Sequence, residues 1–342
     1  MKKLNNWLLA NIFGISLYIV LTALFFEALP FFVDSNNRLD WFYVIFDVSY
    51  VHLNFFRSEV FSFHVPIDEN SYTLSGYLNY VFYLLFLIAV IVYRFSKMQE
   101  TKVLKFCYSI VFIFSIIGIL FQVFMIFYRP GVLGVLFSLI YLFKAVFLTY
   151  ISCLFLRDWM SLRVYIDEDV LDLPNFQKFT LKRADWYQRL GHILLDTFLI
   201  LSIFSTYVFD YYTRDLMMSL DNLVGERFAV TLVFVFFSSI YYLIFEGLFK
   251  STPAKFLTQT SVVNLKNEAV SFQNILGRTL CRRLPFNAFS FFGKLGWHDS
   301  LAYSTVAKHQ TTPSKYTLVY IVFSVILIAF VLYRVLDEFR IL

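Results

Sequence analysis

The sequence predicts an all-α polytopic membrane protein of about seven transmembrane helices, with one long cytoplasmic or interfacial polar passage. Three observations carry this expectation. The first is composition: 59% of the 342 residues are apolar and only 15% charged, a balance outside the range of ordinary soluble domains. The second is a recurring apolar run of about 20 residues, the length a helix needs to cross a hydrocarbon core about 30 Å thick. The third is charge asymmetry: 21 of the 29 Lys and Arg fall on one set of alternating connecting segments and 7 on the other, with Lys144 left inside a run. Cytoplasmic segments carry the excess of Lys and Arg, so the N-terminus is expected inside, in a bacterial inner membrane, and the C-terminus outside.

Taken in order, Met1-Lys2-Lys3 precedes an apolar run from Trp7 to Pro30. The run is longer than a signal-peptide core and ends in Thr22-Ala23-Leu24-Phe25-Phe26-Glu27 without a small-residue cleavage pattern, so it reads as an uncleaved first span. An acidic segment, Phe31 to Gly76, is expected outside, and its aromatic stretch Trp41 to Phe56 suits an interfacial helix or a lid. Tyr77–Tyr93 is the second span, and the basic turn of Arg94, Lys97, Lys102 and Lys105 leads into the third, Val103–Tyr128. Arg129-Pro130-Gly131 turns the chain outside into the fourth, Val132–Leu156. The charged stretch 157–188 separates this N-terminal four-helix region, 1–156, from a second membrane domain, 189–309. Within that domain, spans are expected over Arg189–Phe209 and Phe228–Phe249, joined outside by a segment holding Asp210, Asp215, Asp221 and Glu226. The passage from Lys250 to Lys315 follows. Its apolar piece Leu284–Phe292 is too short to span and suits an interfacial or re-entrant segment. Tyr316–Val335, within 310–342, is the last span.

Several functions find no support in the residues. The net charge of +5 is small and scattered, so no nucleic-acid partner is expected. Cys107, Cys153 and Cys281 are widely separated and show neither disulfide nor zinc spacing. No phosphate loop, metal-ligand motif or acyl-transfer motif occurs, so no cofactor and no enzymatic activity is expected. The 44 Phe and 23 Tyr suit lipid-facing and packing surface. No internal repeat suggests inverted-repeat transporter architecture.

One stretch is more specific. Glu246-Gly247 ends an apolar run, followed by Thr252-Pro253-Ala254-Lys255, an alternating run Thr258–Asn264, a helix-like Phe272–Arg283 with Arg278, Arg282 and Arg283, and His298-Asp299. Upstream, Arg189 and Asp196 open an apolar run. These elements, spread over roughly Lys182 to Lys308, resemble the membrane core of the RDD family, with Ala254 where that family usually has Gly. The resemblance implies that Arg189, Asp196 and Asp299 are the family-signature polar residues. It also implies the membrane architecture, and it admits the transport role proposed for some members.

Three residues could carry chemistry. Lys144 lies about 18 Å along its helix from either end, where an ammonium needs a partner or a wet cavity. Asp196 lies four residues beyond His192 and seven beyond Arg189, on one helical face. Glu246 could join Asp196, Arg189 and Asp299 in a cluster, or pair with Lys250 one turn on. Asp196, Glu246 and Lys144 would then make an ion or proton site, the basis of a cation or proton transporter. The other reading is a non-catalytic accessory subunit in which Asp196 fastens the basic passage through Arg189 or Arg282. Its partners would be the lipid bilayer together with a membrane protein or a second copy of the chain.

Overall fold

The computed structural model describes residues 2–29, 40–49, 51, 53, 71–128, 131–157, 183–207, 214–265, 270–282, 297–309, 315–322 and 325–326. The first expected span is two helices, α1 (Lys2–Ala10) and α2 (Ile12–Ala28), bent by 61° at Asn11. Asn11 explains the bend locally, because its side-chain amide donates to the Trp7 carbonyl at 2.8 Å and competes with the helical ladder. A short α3 (Asp40–Phe46) follows within the aromatic stretch, and beyond it residues 47–49, 51 and 53 are non-helical.

The N-terminal region is completed by α4 (Ser71–Phe95), α5 (Lys102–Tyr128) and α6 (Val132–Arg157). Left-handed residues Lys97 and Met98 stop α4, with the Met98 N–H donating back to the Tyr93 carbonyl. Aromatic rings fill the space between these helices: Phe86 meets Tyr108 at 5.4 Å and Tyr108 meets Phe155 at 5.0 Å. Such ring pairs add packing energy beyond their buried area. One hydroxyl pair, Ser16 with Tyr108 at 2.6 Å, ties α2 to α5.

In the second half, α7 (Trp186–Tyr207), α8 (Arg214–Val224) and α9 (Glu226–Phe249) precede the passage. The segment read from its charges as an outer loop thus contains α8, which packs on α9. The passage folds as α10 (Pro253–Thr258), β1 (Thr260–Asn264), α11 (Phe272–Cys281), α12 (Trp297–Leu301) and β2 (Ser304–Lys308). β1 and β2 pair antiparallel with Val262 opposite Val306, and Arg183 bridges to Ala307 at the edge. The expected all-α bundle therefore carries a small two-stranded antiparallel sheet on its polar passage, its strands joined through α11 and α12. The two halves share one apolar core, in which Phe112 of α5 meets Phe249 of α9 at 5.1 Å and α10 packs on α5.

Four described helices are long and apolar enough to cross a membrane: Leu78–Phe95, Lys102–Tyr128, Val132–Arg157 and Arg227–Phe249. The bent pair α1 and α2 makes a fifth if it is one span. The expected seventh span is described only in part, as helix near its start. Leu284–Phe292 and most of the 157–188 linker lie outside the described residues.

Candidate functional site: a buried ion-pair cluster at the end of α9

The site begins where α9 stops. Lys250 adopts a left-handed conformation, φ 55°, and its N–H closes on the Glu246 carbonyl at 3.1 Å, so the chain leaves the helix axis. Thr252 is extended and Pro253 occupies the first turn of α10, where a missing N–H and a fixed φ cost nothing. This turn folds α10 back against the bundle, and the Val262 N–H then donates to the Lys250 carbonyl at 2.7 Å, pinning β1 to the end of α9.

Glu246 is fully buried and is the centre of the cluster. Lys255 of α10 donates to its Oε1, to which Arg282 Nη2 also donates at 2.6 Å. Its Oε2 lies 3.2 Å from Arg282 Nη1 and 3.4 Å from Arg278 Nε. The Arg282 guanidinium lies over the ring of Tyr242, 3.9 Å from its centroid, adding a cation–π contact. Arg278 continues the network: its Nη1 pairs with Asp299 and donates to Ser304 Oγ at 3.0 Å. Arg189 of α7 reaches the other oxygen of Asp299 at 3.9 Å. Two carboxylates thus gather four cationic side chains from α7, α10 and α11. Burial lowers the Lys255 ammonium to about 8, with Arg278 and Arg282 nearby lowering it further and Glu246 only partly offsetting this. Burial also disfavours the Arg282 cation, but Glu246 outweighs it and the guanidinium is held more firmly charged.

Among the described residues, Asp196 sits beside this network without a hydrogen-bonded cation, although the Lys255 ammonium is near enough to act on it through space. It accepts from Tyr241 OH at 3.0 Å, from Thr252 Oγ1 at 2.7 Å and from the Ala254 N–H at 3.4 Å. The carboxylate therefore holds the first turn of α10 through neutral donors, and neither Arg189 nor Arg282 is its fastening partner. Ala254, standing in the place usually taken by Gly, has an ordinary helical backbone with negative φ and lies buried against this carboxylate. One turn earlier, His192 Nε2 contacts Thr258 Oγ1 and, at 3.3 Å, Thr260 Oγ1. Arg189, His192 and Asp196 are all buried on the same face of α7, where the four- and seven-residue spacing places them.

Lys144 is elsewhere. Its ammonium donates to the Asp47 carbonyl at 2.5 Å and lies 4.7 Å from the Tyr141 ring centroid, and among the described residues it meets neither Asp196 nor Glu246. The expected ion site is thus divided, with Asp196 and Glu246 at the cluster and Lys144 of α6 held against the segment that follows α3. Lys250, the other partner considered for Glu246, donates to the Gly247 carbonyl at 3.2 Å. Sequence reasoning passed over Tyr241 and Thr252. The available signal was a polar Tyr five residues before Glu246 in an apolar helix, and a Thr directly before the helix-opening Pro253.

Residues 183–338 match the model of the RDD family. The match continues well past Lys308 and takes in the expected last span. No curated protein and no solved structure matches the chain. With Arg189, Asp196 and Asp299 gathered around α10 and α11, and with apolar helices on either side, residues 183–338 of this chain are similar to the RDD family.

Proposed function

We propose that the chain is a non-catalytic accessory subunit of a bacterial inner membrane, in which the buried cluster braces the polar passage so that it can present a fixed surface to a membrane-protein partner or to a second copy. The observation that carries this reading is that Glu246 already has three cationic partners from α10 and α11, leaving no open coordination for a transported cation. Burying that many charges is costly, and removing one member of a buried pair leaves another uncompensated, so such a cluster suits a brace whose geometry must not change. Seven spans, with the N-terminus and the passage in the cytoplasm, complete this reading from the division of basic residues.

Cation or proton transport is the second reading, and one observation favours it: among the described residues the buried Asp196 carboxylate takes its hydrogen bonds from neutral donors, a setting suited to a group that takes up and releases a proton. Reconstitution separates the two. In vesicles, the brace reading expects no cation or proton flux from the wild type, and Asp196→Asn should lower abundance and thermal stability together. Flux in the wild type that Asp196→Asn abolishes at unchanged stability would establish transport instead. A pull-down from native membranes should recover a stoichiometric partner under the first reading.

A further inference from the structure

We infer that α11 is inserted edgewise into the bilayer beside α9, with its carboxyl end the deeper, so that lipid acyl chains cover its exposed face. The helix is two-sided. Ile275, Arg278 and Thr279 are buried towards α9, whereas Phe272, Leu276 and Leu280, four residues apart on the opposite face, are 64%, 37% and 61% exposed. An apolar stripe of this kind on a polar passage is a contact surface.

Its neighbours identify what covers it. Arg278 reaches Glu246 of α9, and Arg282, the residue that caps the end of α11, reaches both Glu246 and the ring of Tyr242. α9 is an apolar membrane-crossing segment from Arg227 to Phe249, and Tyr242 lies about 10 Å along it from its end at Phe249. The carboxyl end of α11 is therefore level with the interior part of a spanning helix. The amino end faces water: Ser271 and Asn274 form a capping box there, and both are outside the buried core. Arg278 and Arg282 can sit at that depth because Glu246 and Asp299 pair with them, which leaves the deeper part of the outward face, at Leu276 and Leu280, apolar, with the exposed Gln273 in the first turn of the helix. The basic bias of the passage, Lys250 to Lys315, suits the headgroup layer through which α11 would enter.

The test uses the full-length protein in lipid vesicles, with Phe272→Cys, Leu276→Cys and Leu280→Cys made singly in a background in which Cys107, Cys153 and Cys281 are replaced. Each site carries an environment-sensitive fluorophore. Quenching by lipids brominated along the acyl chain should rise from 272 through 276 to 280, and quenching by aqueous iodide should fall in the same order. Strong iodide quenching at all three positions would overturn the inference and place the face in water. Protection from both quenchers would also overturn it and assign the face to a protein partner, which disulfide crosslinking between copies at 276 or 280 would identify as a second chain. Wild-type levels of vesicle-bound protein for each labelled variant confirm that the readings come from the folded state. The inference stands whether the domain braces or transports, because it rests on depth alone.

Discussion

The N-terminal region, α1 to α6, and the region that matches the RDD family solve the same problem of joining apolar helices by opposite means. The first is held mainly by rings and a few hydroxyls, as in the contacts of Phe86, Tyr108 and Phe155 and the pair of Ser16 with Tyr108. The second is held by Glu246 and Asp299 among four cationic side chains, three of them buried. Ring packing is built from many small terms, so losing one of them is tolerated. A buried charge network is an all-or-none arrangement, because each member is tolerable only while its partners remain. The difference implies that a substitution which keeps a side chain's shape but removes its polar group should cost far more in the second region than in the first.

The largest effect is expected at Glu246. Glu246→Gln keeps the shape but leaves Lys255, Arg278 and Arg282 without their shared carboxylate, at a cost of about 3–5 kcal/mol. Membrane abundance should collapse and thermal denaturation of any purified protein should shift sharply downwards. A variant with wild-type melting would break the comparison. Asp196→Asn should cost less, about 1–3 kcal/mol, because its partners Tyr241, Thr252 and the Ala254 N–H are neutral and one amide oxygen can still accept. Equal losses for the two variants, measured by the same denaturation, would mean that Asp196 is ion-paired after all.

Part of this division was legible in the residues and part was not. The four- and seven-residue spacing of Arg189, His192 and Asp196 fixes them on one face of a helix, and the structure buries all three there. The link of Glu246 to Arg282 joins residues 36 positions apart, so no periodicity could reveal it. Charge alone suggested that Asp196 should take an arginine. In the folded chain the α10 turn reaches it first, because Pro253 and the left-handed Lys250 aim the Ala254 N–H and Thr252 hydroxyl at the carboxylate. The 61° bend at Asn11 was hidden for a similar reason, since an isolated Asn in an apolar run keeps the hydropathy of a continuous span.

A pH effect sharpens the contrast further. Lys255 titrates near 8 when folded and near its ordinary 10.5 when unfolded. Between those values the unfolded chain holds a proton that the folded chain has released, so stability should rise with pH through the window from 8 to 10.5, by at most ~1.4 kcal/mol per pH unit. Lys255→Met should flatten that rise while leaving Arg278 and Arg282 on Glu246, as stability measured in detergent across the window would report. A rise of the same slope in Lys255→Met would assign the titration to another group.

The smallest effect is expected in the N-terminal region, and it is the counterpart that gives the others meaning. Tyr108→Phe removes the hydroxyl that meets Ser16 but keeps the ring against Phe86 and Phe155. Ser16 retains a partner, because its Oγ also donates to the Ile12 carbonyl at 2.6 Å. No buried donor is stranded, so the loss should be about 0.5–1.5 kcal/mol, the net worth of one hydrogen bond. Tyr108→Ala would add a cavity among the rings and cost about 3–5 kcal/mol, which checks that the site is packed and sensitive to the same assay. If Tyr108→Phe alone matched the loss at Glu246, the N-terminal region would depend on its Ser16–Tyr108 hydroxyl pair as the second region depends on its carboxylates, and the two halves would share one means of cohesion.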